Sequence, residues 1–446
     1  MSSPGDDDQK IKPDASSKAE AGSGDGGYGG AGGMRNVTAL GLVSFFTDFS
    51  TEMVLGVLPF FIVSTLGASR TLLGAIEGSA ELTSYAFRMV SGSLSDKVGK
   101  RKVFLIAGYG LSTITKPFFA ASSSWIDAFV VRFVDRMGKG IRTAPRDALI
   151  ADSVSESTVG RAFGIHRTID QLGAIVGPIA AFALLQVVDI RAIFLLSLIP
   201  GAIAVLIIVF FVKEVVMKRS SSPTAARITM LSNINSVIRG NRPFVLLLII
   251  TGIFGIGAFS FPFILLRASD LGVAESLIPL IYAIINVAHT AIGIPSGILA
   301  DKVGKEKVLI IGYSVFAIST ILMLVLSGNT LYAYILAAIF GLYIGISETV
   351  QRAVIPRYVA SELRGTAYGL YNLVIGTTFF VANVVFGFLW DNFSLTAAVS
   401  YSVITAIAAV SGMCMFIRRY PPPNHPVLQE LTIINIIPNH LLNYQK

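Results

Sequence analysis

Gly92-Ser-Leu-Ser-Asp-Lys-Val-Gly-Lys-Arg-Lys102 and Gly297-Ile-Leu-Ala-Asp-Lys-Val-Gly-Lys-Glu-Lys307 are two copies of one loop within a single chain. Eight of the eleven positions are identical, and the second copy follows the first by 297 − 92 = 205 residues. The same offset aligns Gly140-Ile141 with Gly345-Ile346 and Ala162-Phe163-Gly164 with Ala367-Tyr368-Gly369. An offset held over roughly 70 residues marks an internal duplication. Each copy is short, basic and supplied with glycines, which permit a tight turn between two helix ends.

Outward from both copies, the sequence breaks into apolar blocks of the length that spans about 30 Å of hydrocarbon at about 1.5 Å per residue. Twelve are predicted: 36–65, 71–95, 102–121, 125–148, 160–187, 190–213, 243–267, 275–299, 306–327, 330–353, 363–389 and 394–417. Their apolarity is nearly continuous, as in helices, whereas barrel strands would alternate at every second residue. Six helices per half is an even number, so both halves keep one orientation, related by a pseudo-twofold axis along the membrane normal. The expected fold is therefore an all-α polytopic membrane protein of two six-helix bundles. Its expected divisions are a disordered cytoplasmic tail (1–33), a first bundle (34–213), a cytoplasmic linker (214–242), a second bundle (243–417) and a cytoplasmic tail (418–446).

Composition agrees. Of 446 residues, 53% are hydrophobic and 14% charged, with a mean hydropathy of +0.70. Soluble domains carry about 25% charged residues, so a soluble enzyme, a disordered chain and a disulfide scaffold are all excluded. Cys414 is the single cysteine and reads as a small packing residue. The net charge of +8 reads as a topology signal, because cytoplasmic loops retain Lys and Arg. With both termini inside, the inner loops collect Lys97, Lys100, Arg101, Lys102, Lys302, Lys305 and Lys307, while Arg70, Arg191 and Arg267 fall outside.

The duplicated loop resembles the signature loop of the major facilitator superfamily, and the resemblance covers about 36–417. The fifth block adds Gly164, Gly173 and Gly177-Pro178, a spacing similar to the motif of the drug:proton antiporter branch; Ala181-Phe182 stand where that branch has two further glycines. In the fourth block, Arg136 and Gly140 match an arginine-to-glycine spacing of such exporters, within an unusually charged run from Arg132 to Asp147. The resemblance implies a secondary transporter working by alternating access in the cell membrane, with a monomer sufficient. It also implies that Gly92, Asp96, Lys97, Gly99, Lys100 and Arg101, with Gly297, Asp301, Lys302 and Gly304, form gating loops on the cytoplasmic side.

Charges at membrane depth are costly unless paired or wet, so they nominate the site. Ser44, Thr47, Asp48, Thr51 and Glu52 form one polar stripe at helical spacing. Arg132, Asp135 and Arg136 fall at matching depth, and the first and fourth helices line the cavity of the superfamily. Asp48 or Glu52 is expected either to carry a proton or to hold a permanent ion pair with Arg132 or Arg136. Substrate-cavity candidates are Glu77, Glu81, Asn286, His289, Tyr343 and Asn372. The second half is expected to be aromatic (Phe254, Phe259, Phe261, Tyr371) with little charge. An Arg167–Asp170 lock between helices is expected near the inner side, and Lys116 is expected to snorkel to the outer interface. There is no Walker loop, and the four histidines lack partners at metal-ligand spacing, so neither a nucleotide nor a metal cofactor is expected. The expected function is proton-coupled efflux of a small organic solute. The alternatives are a proton symporter importing a sugar or organic acid, and a transporter-like receptor that moves nothing.

Overall fold

The computed structural model describes residues 31–215, 230–359 and 363–421. Most of both expected tails, and residues 216–229 of the expected linker, lie outside the described residues. The regular structure of the described residues is all helical, with twelve spanning segments. These are α1 (Ala31–Leu55, continued by Leu58–Phe60 and a π turn at Phe61–Thr65), α2 (Arg70–Val98), α3 (Arg101–Thr115 with the 3₁₀ turn Lys116–Ala121), α4 (Trp125–Asp152), α5 (Val159–Leu184) and α6 (Ile190–Leu196 and Leu198–Phe210). The second set is α7 (Arg242–Gly255 and Pro262–Asp270), α8 (Ile278–Val303), α9 (Lys305–Val325), α10 (Leu331–Ala353), α11 (Arg364–Asn392) and α12 (Leu395–Arg419). Eight of these spans are long and apolar enough to cross a membrane by themselves. The other four are α2, α4 and α5, which are rich in charge, and the interrupted α7.

Two expectations change in detail. Helix α1 begins at Ala31, five residues before the expected start, and Asn36 fastens it by donating to Ser153 Oγ at 2.8 Å and accepting from the Lys213 amide at 2.9 Å. Block 243–267 is broken between Gly255 and Pro262. Irregular backbone is tolerated at membrane depth where protein groups satisfy it. Here Asn383 of α11 accepts from both the Ser260 amide (3.1 Å) and the Ser260 hydroxyl (2.5 Å). The linker, polar in sequence, also contains a short helix at Met230–Gly240.

Within the first bundle α1 packs on α5 and α6, and α4 on α2 and α3; the second bundle pairs α8 with α10 and α9 with α10 and α12. Across the seam, α2 lies along α11 and α5 along α8. At one face the seam is shut. Arg70 on α2 meets Asp270 at 3.3 Å and Asp391 at 3.8 Å and stacks over Trp390, while Asp391 accepts from the Thr71 amide and hydroxyl at 2.7 Å. Asp391 thereby places a carboxylate at the N-terminus of a helix in the other bundle, where the helix dipole favours it. One turn deeper, Gly74 touches the Asn383 backbone so closely that a Cβ would overlap it.

Towards the face that bears the duplicated loops, the bundles part. Gly376 of α11 still faces Tyr85 and Leu82 of α2, but a methyl group placed on Gly369 or Gly365 would have nothing within 4 Å, and the same holds for Gly164 of α5. Leu94 and Leu373, on α2 and α11, are 47% and 59% exposed.

In the loops themselves, the duplication carries a charge reversal. Arg101 pairs with Asp152 at 2.5 Å and with Asp96 at 3.4 Å, and Glu306 pairs with Arg357 at 2.9 Å. The positions correspond at the same offset, 306 − 101 = 205 and 357 − 152 = 205. Each half thus ties the start of its third helix to the end of its fourth, with the signs exchanged. Glu214 also accepts from the Arg101 and Lys102 amides at 2.9 and 2.8 Å, capping α3. Gly99 closes α2 at a φ of 70°. Asp96, Lys97, Lys100, Asp301 and Lys302 are exposed, whereas Gly92 and Gly297 lie against Ala144 and Thr349 within their own bundles.

The α5 motif is a packing device in this conformation. Gly173 and Gly177 press on the α1 backbone at Phe45 and Phe49, Pro178 is buried within an uninterrupted helix, and Gly164 stands clear. Gly173→Ala should therefore lower stability by about 1–3 kcal/mol through overpacking, read as a drop in melting temperature in detergent, whereas Gly164→Ala, within a helix and meeting no neighbour, should cause no loss. Arg101→Glu should destabilise the first bundle, and the double exchange Arg101→Glu with Asp152→Arg should restore most of the loss. A double variant no more stable than the single one would refute the pairing.

Candidate functional site in the central cavity

A cavity of about 370 Å³ lies at the seam, walled by α1, α2, α4 and α5 from one bundle and α7, α8, α10 and α11 from the other. Among the described residues, helices α3, α6, α9 and α12 contribute nothing to the wall. The break in α7 brings Phe259, Ser260 and Phe261 onto it, which a straight helix would not do with three successive residues.

Asp48 and Glu52 both line the cavity, and neither forms an ion pair with a basic residue among the described residues. The Tyr282 hydroxyl of α8 donates to Glu52 across the seam. Asp48 stands within hydrogen-bonding reach of Asp170 on α5. Arg132 and Arg136 of α4 pair elsewhere. Arg132 is 1% exposed and holds Glu77 of α2 through two bonds, at 3.0 and 2.7 Å, and Asp135 of its own helix at 3.3 Å. Asp135 in turn accepts from Ser112 at 2.5 Å. Arg136 faces Glu81 at 3.9 Å. The expected pairing of the α1 carboxyls with Arg132 or Arg136 is thus replaced by α2–α4 pairs, because α4 turns its charged stripe towards α2 and α3. Arg132 and Asp135 are consequently behind the wall, while Glu77, Glu81 and Arg136 form part of it.

Lys116 also departs from expectation. It is 1% exposed, and its Nζ donates to Thr51 of α1 at 3.1 Å. The 3₁₀ turn that begins at Lys116 turns the side chain inward, where Asp135, Asp48 and Glu52 supply opposite charge.

In the second bundle, Asn286 donates to the Ala174 carbonyl of α5 at 2.9 Å, bridging the seam, and His289 and Tyr343 line the cavity. Asn372 does not; its neighbour Tyr371 takes the lining position, since adjacent residues of a helix point about 100° apart. The expected scarcity of charge in this half is corrected by Glu348 and Arg352 of α10, both on the wall. Glu348 meets His289 at 3.5 Å and Arg167 of α5 at 3.7 Å, and Arg167 also meets Asp170 at 3.2 Å. The expected Arg167–Asp170 lock is therefore a contact within one helix, and the contact between helices runs from Arg167 to the other bundle. Lys139 is a further cavity residue, and its spacing of three from Arg136 is the signal for it within the charged run of the fourth block. Glu348 and Arg352 are legible in sequence only as charges near the end of a block.

This geometry separates structural charges from available ones. Glu77→Gln should remove one of the two carboxylates that hold the buried Arg132, leaving Asp135, and cost about 1–3 kcal/mol, seen as a reduced yield and a lowered melting temperature. Asp48→Asn, which disturbs no ion pair, should fold and melt as the parent does. Equal stability of the two variants would overturn the distinction.

A family model described as Major Facilitator Superfamily matches residues 40–284 and 247–443 of the chain. An uncharacterised MFS-type transporter of Methanocaldococcus jannaschii is 34% identical over 390 residues, covering 85% of this chain and 94% of its own. The multidrug resistance efflux pump PmrA of Streptococcus pneumoniae is 29% identical over 156 residues, 34% of this chain and 39% of its own. Among solved structures, a nucleoside transporter, NupG, superposes with a TM-score of 0.70 at 15% identity, covering 86% of this chain and 99% of its own. A bacterial homologue of the lysosomal transporter Spinster, in an inward-facing and unoccupied conformation, does so with a TM-score of 0.65 at 15% identity, covering 86% and 95%. These last two likenesses concern the fold. On the family model and the archaeal relative, with the twelve-helix architecture beneath them, the chain belongs to the major facilitator superfamily.

Proposed function

We propose that this protein is a secondary active transporter that exports a small organic solute by alternating access in exchange for protons. The observation that carries the reading is the cavity at the seam: both bundles line it, one face is shut, and two α1 carboxyls that form no ion pair among the described residues look into it. A carboxyl in such a place can hold a proton in one conformation and release it in the other, since desolvation and neighbouring charge set its affinity. The partial likeness to an efflux pump supports the export direction. Phe254, Phe259, Tyr282, Tyr343 and Tyr371 on the wall, beside several carboxylates, suit a partly apolar compound bearing a polar or cationic group.

In this reading the loop face is cytoplasmic, because it gathers the basic residues. Both tails and the linker lie on that side of the cell membrane, and the monomer is the working unit. The duplicated loops then act as the gate of the face that is open here.

The test is reconstitution into liposomes with an internal pH dye and a panel of lipophilic cations, antibiotics, sugars and organic acids. Proton movement should require a compound, run opposite to it, and be lost in Asp48→Asn or Glu52→Gln. Movement in the same direction as the compound would establish symport instead. Compound flux unchanged in both variants would remove the proton site from α1. Binding without flux would leave a receptor.

A further inference from the structure

One chain of polar groups crosses from the first bundle to the second. Asp48 on α1 is within hydrogen-bonding reach of Asp170 on α5; Asp170 meets Arg167 one turn away at 3.2 Å; Arg167 meets Glu348 on α10 at 3.7 Å; and Glu348 meets His289 on α8 at 3.5 Å. Its place in the fold is specific. It lies on the loop-face side of the Asn286–Ala174 bridge, and beyond it Gly164 has no neighbour. The Arg167–Glu348 contact is therefore, among the described residues, the ion pair that joins the bundles nearest to where they part.

Two chemical facts make the chain responsive. Two carboxyl groups can share a hydrogen bond only if one of them carries a proton, so the Asp48–Asp170 contact holds one proton when it is formed. Arg167 is the cation placed to answer that proton. The other groups facing Asp170 are His166 and Arg146, and those facing Asp48 are Glu52, Lys139 and Arg142. His166 is bonded to Ser44 at 2.9 Å, Arg146 is held by Asp147 at 2.8 Å, and Arg142 stacks on Tyr109 at 4.5 Å. Arg352 faces Glu348 from its own helix. Arg167 is 57% exposed and Glu348 58% exposed along the cavity, so both side chains have room to change partner.

We propose that Arg167 is an exchangeable ion-pair partner that couples the proton held between Asp48 and Asp170 to the separation of the two bundles at the loop face. With the proton present, the carboxyl pair carries one negative charge, and Arg167 is available to Glu348, drawing α10 towards α5. When the proton leaves to water, the pair carries two charges, Arg167 is retained on α5, and the bridge to Glu348 slackens. His289 assists by holding Glu348 in reach. Arg167 and Glu348 act here as positioning residues; the proton resides on the carboxyl pair. The proposal rests on the proton-coupled reading above and moves the proton from a single α1 carboxyl to a site shared by two helices.

The test uses the full chain in lipid nanodiscs, with Cys414→Ser and spin labels at Gly160→Cys and Gly365→Cys, two loop-face positions where a side chain meets nothing. Distances between the labels are measured by pulsed electron paramagnetic resonance across a pH series. The distribution should shift to shorter distances on acidification. Glu348→Gln and Arg167→Gln should abolish the shift, Arg167→Lys should retain it, and melting temperatures should stay at the parent value. Glu348→Asp, which keeps the charge but shortens its reach, should reduce it. No shift in the parent, or a full shift in both glutamine variants, would overturn the proposal. Proton flux driven by a compound is scored separately in the same preparations: flux that persists alongside a pH-independent distance would sink this coupling while leaving the exporter reading intact.

Discussion

A charge inside a bilayer has no water to answer it, and the arrangement of this protein follows from that constraint. Helices α1, α2, α4 and α5 carry charged stripes that no lipid-facing helix could tolerate, and they are packed where protein or the cavity meets them. Arg132, fully enclosed with Glu77 and Asp135, is the centre of that arrangement. It fixes the rotation of α4 against α2, and so determines which α4 residues are left to face the seam. Arg136 and Lys139 face it as a consequence. Helices α3, α6, α9 and α12 stay off the cavity wall and pack behind the helices that line it.

The two bundles are joined unequally. On the shut face, the Arg70 cluster, the Glu52–Tyr282 bond and close backbone contact at Gly74 add up to a tight seam. On the loop face the same helices diverge, and the Arg167–Glu348 pair bridges a gap with both side chains exposed. Packed interfaces tend to have discrete arrangements rather than a continuum. An interface closed by backbone contact at one end and by long flexible side chains at the other is suited to rocking between two such arrangements.

Much of this is readable from the chain alone, and the departures have a common cause. The twelve spans, the duplication and the placement of Asp48 and Glu52 on one stripe need only length and periodicity. Matching depths on α1 and α4 suggest that Arg132 and Arg136 meet the α1 carboxyls, but depth says nothing of the direction in which a side chain points. A lysine beside a proline near a helix end usually snorkels; at Lys116 the 3₁₀ turn sends it inward instead. Polarity favours Asn372 over Tyr371, although a single helical step decides which of the two looks into the cavity. Glu348 escapes a sequence reading because one carboxylate near the end of an apolar block resembles an interfacial residue.

Sequence by itself determined the class, the repeat, the number of helices and the residues that cannot be at ease in lipid, because hydrocarbon thickness and the cost of buried charge act on each helix separately. Tertiary structure alone decided the partners. Whether Arg132 meets Glu77 or Asp48, whether Arg101–Asp152 recurs as Glu306–Arg357, and whether Arg167 reaches the other bundle all depend on helix rotation and on how two bundles abut. Those quantities are set jointly by several helices packing at once, and no stretch of the chain encodes them locally.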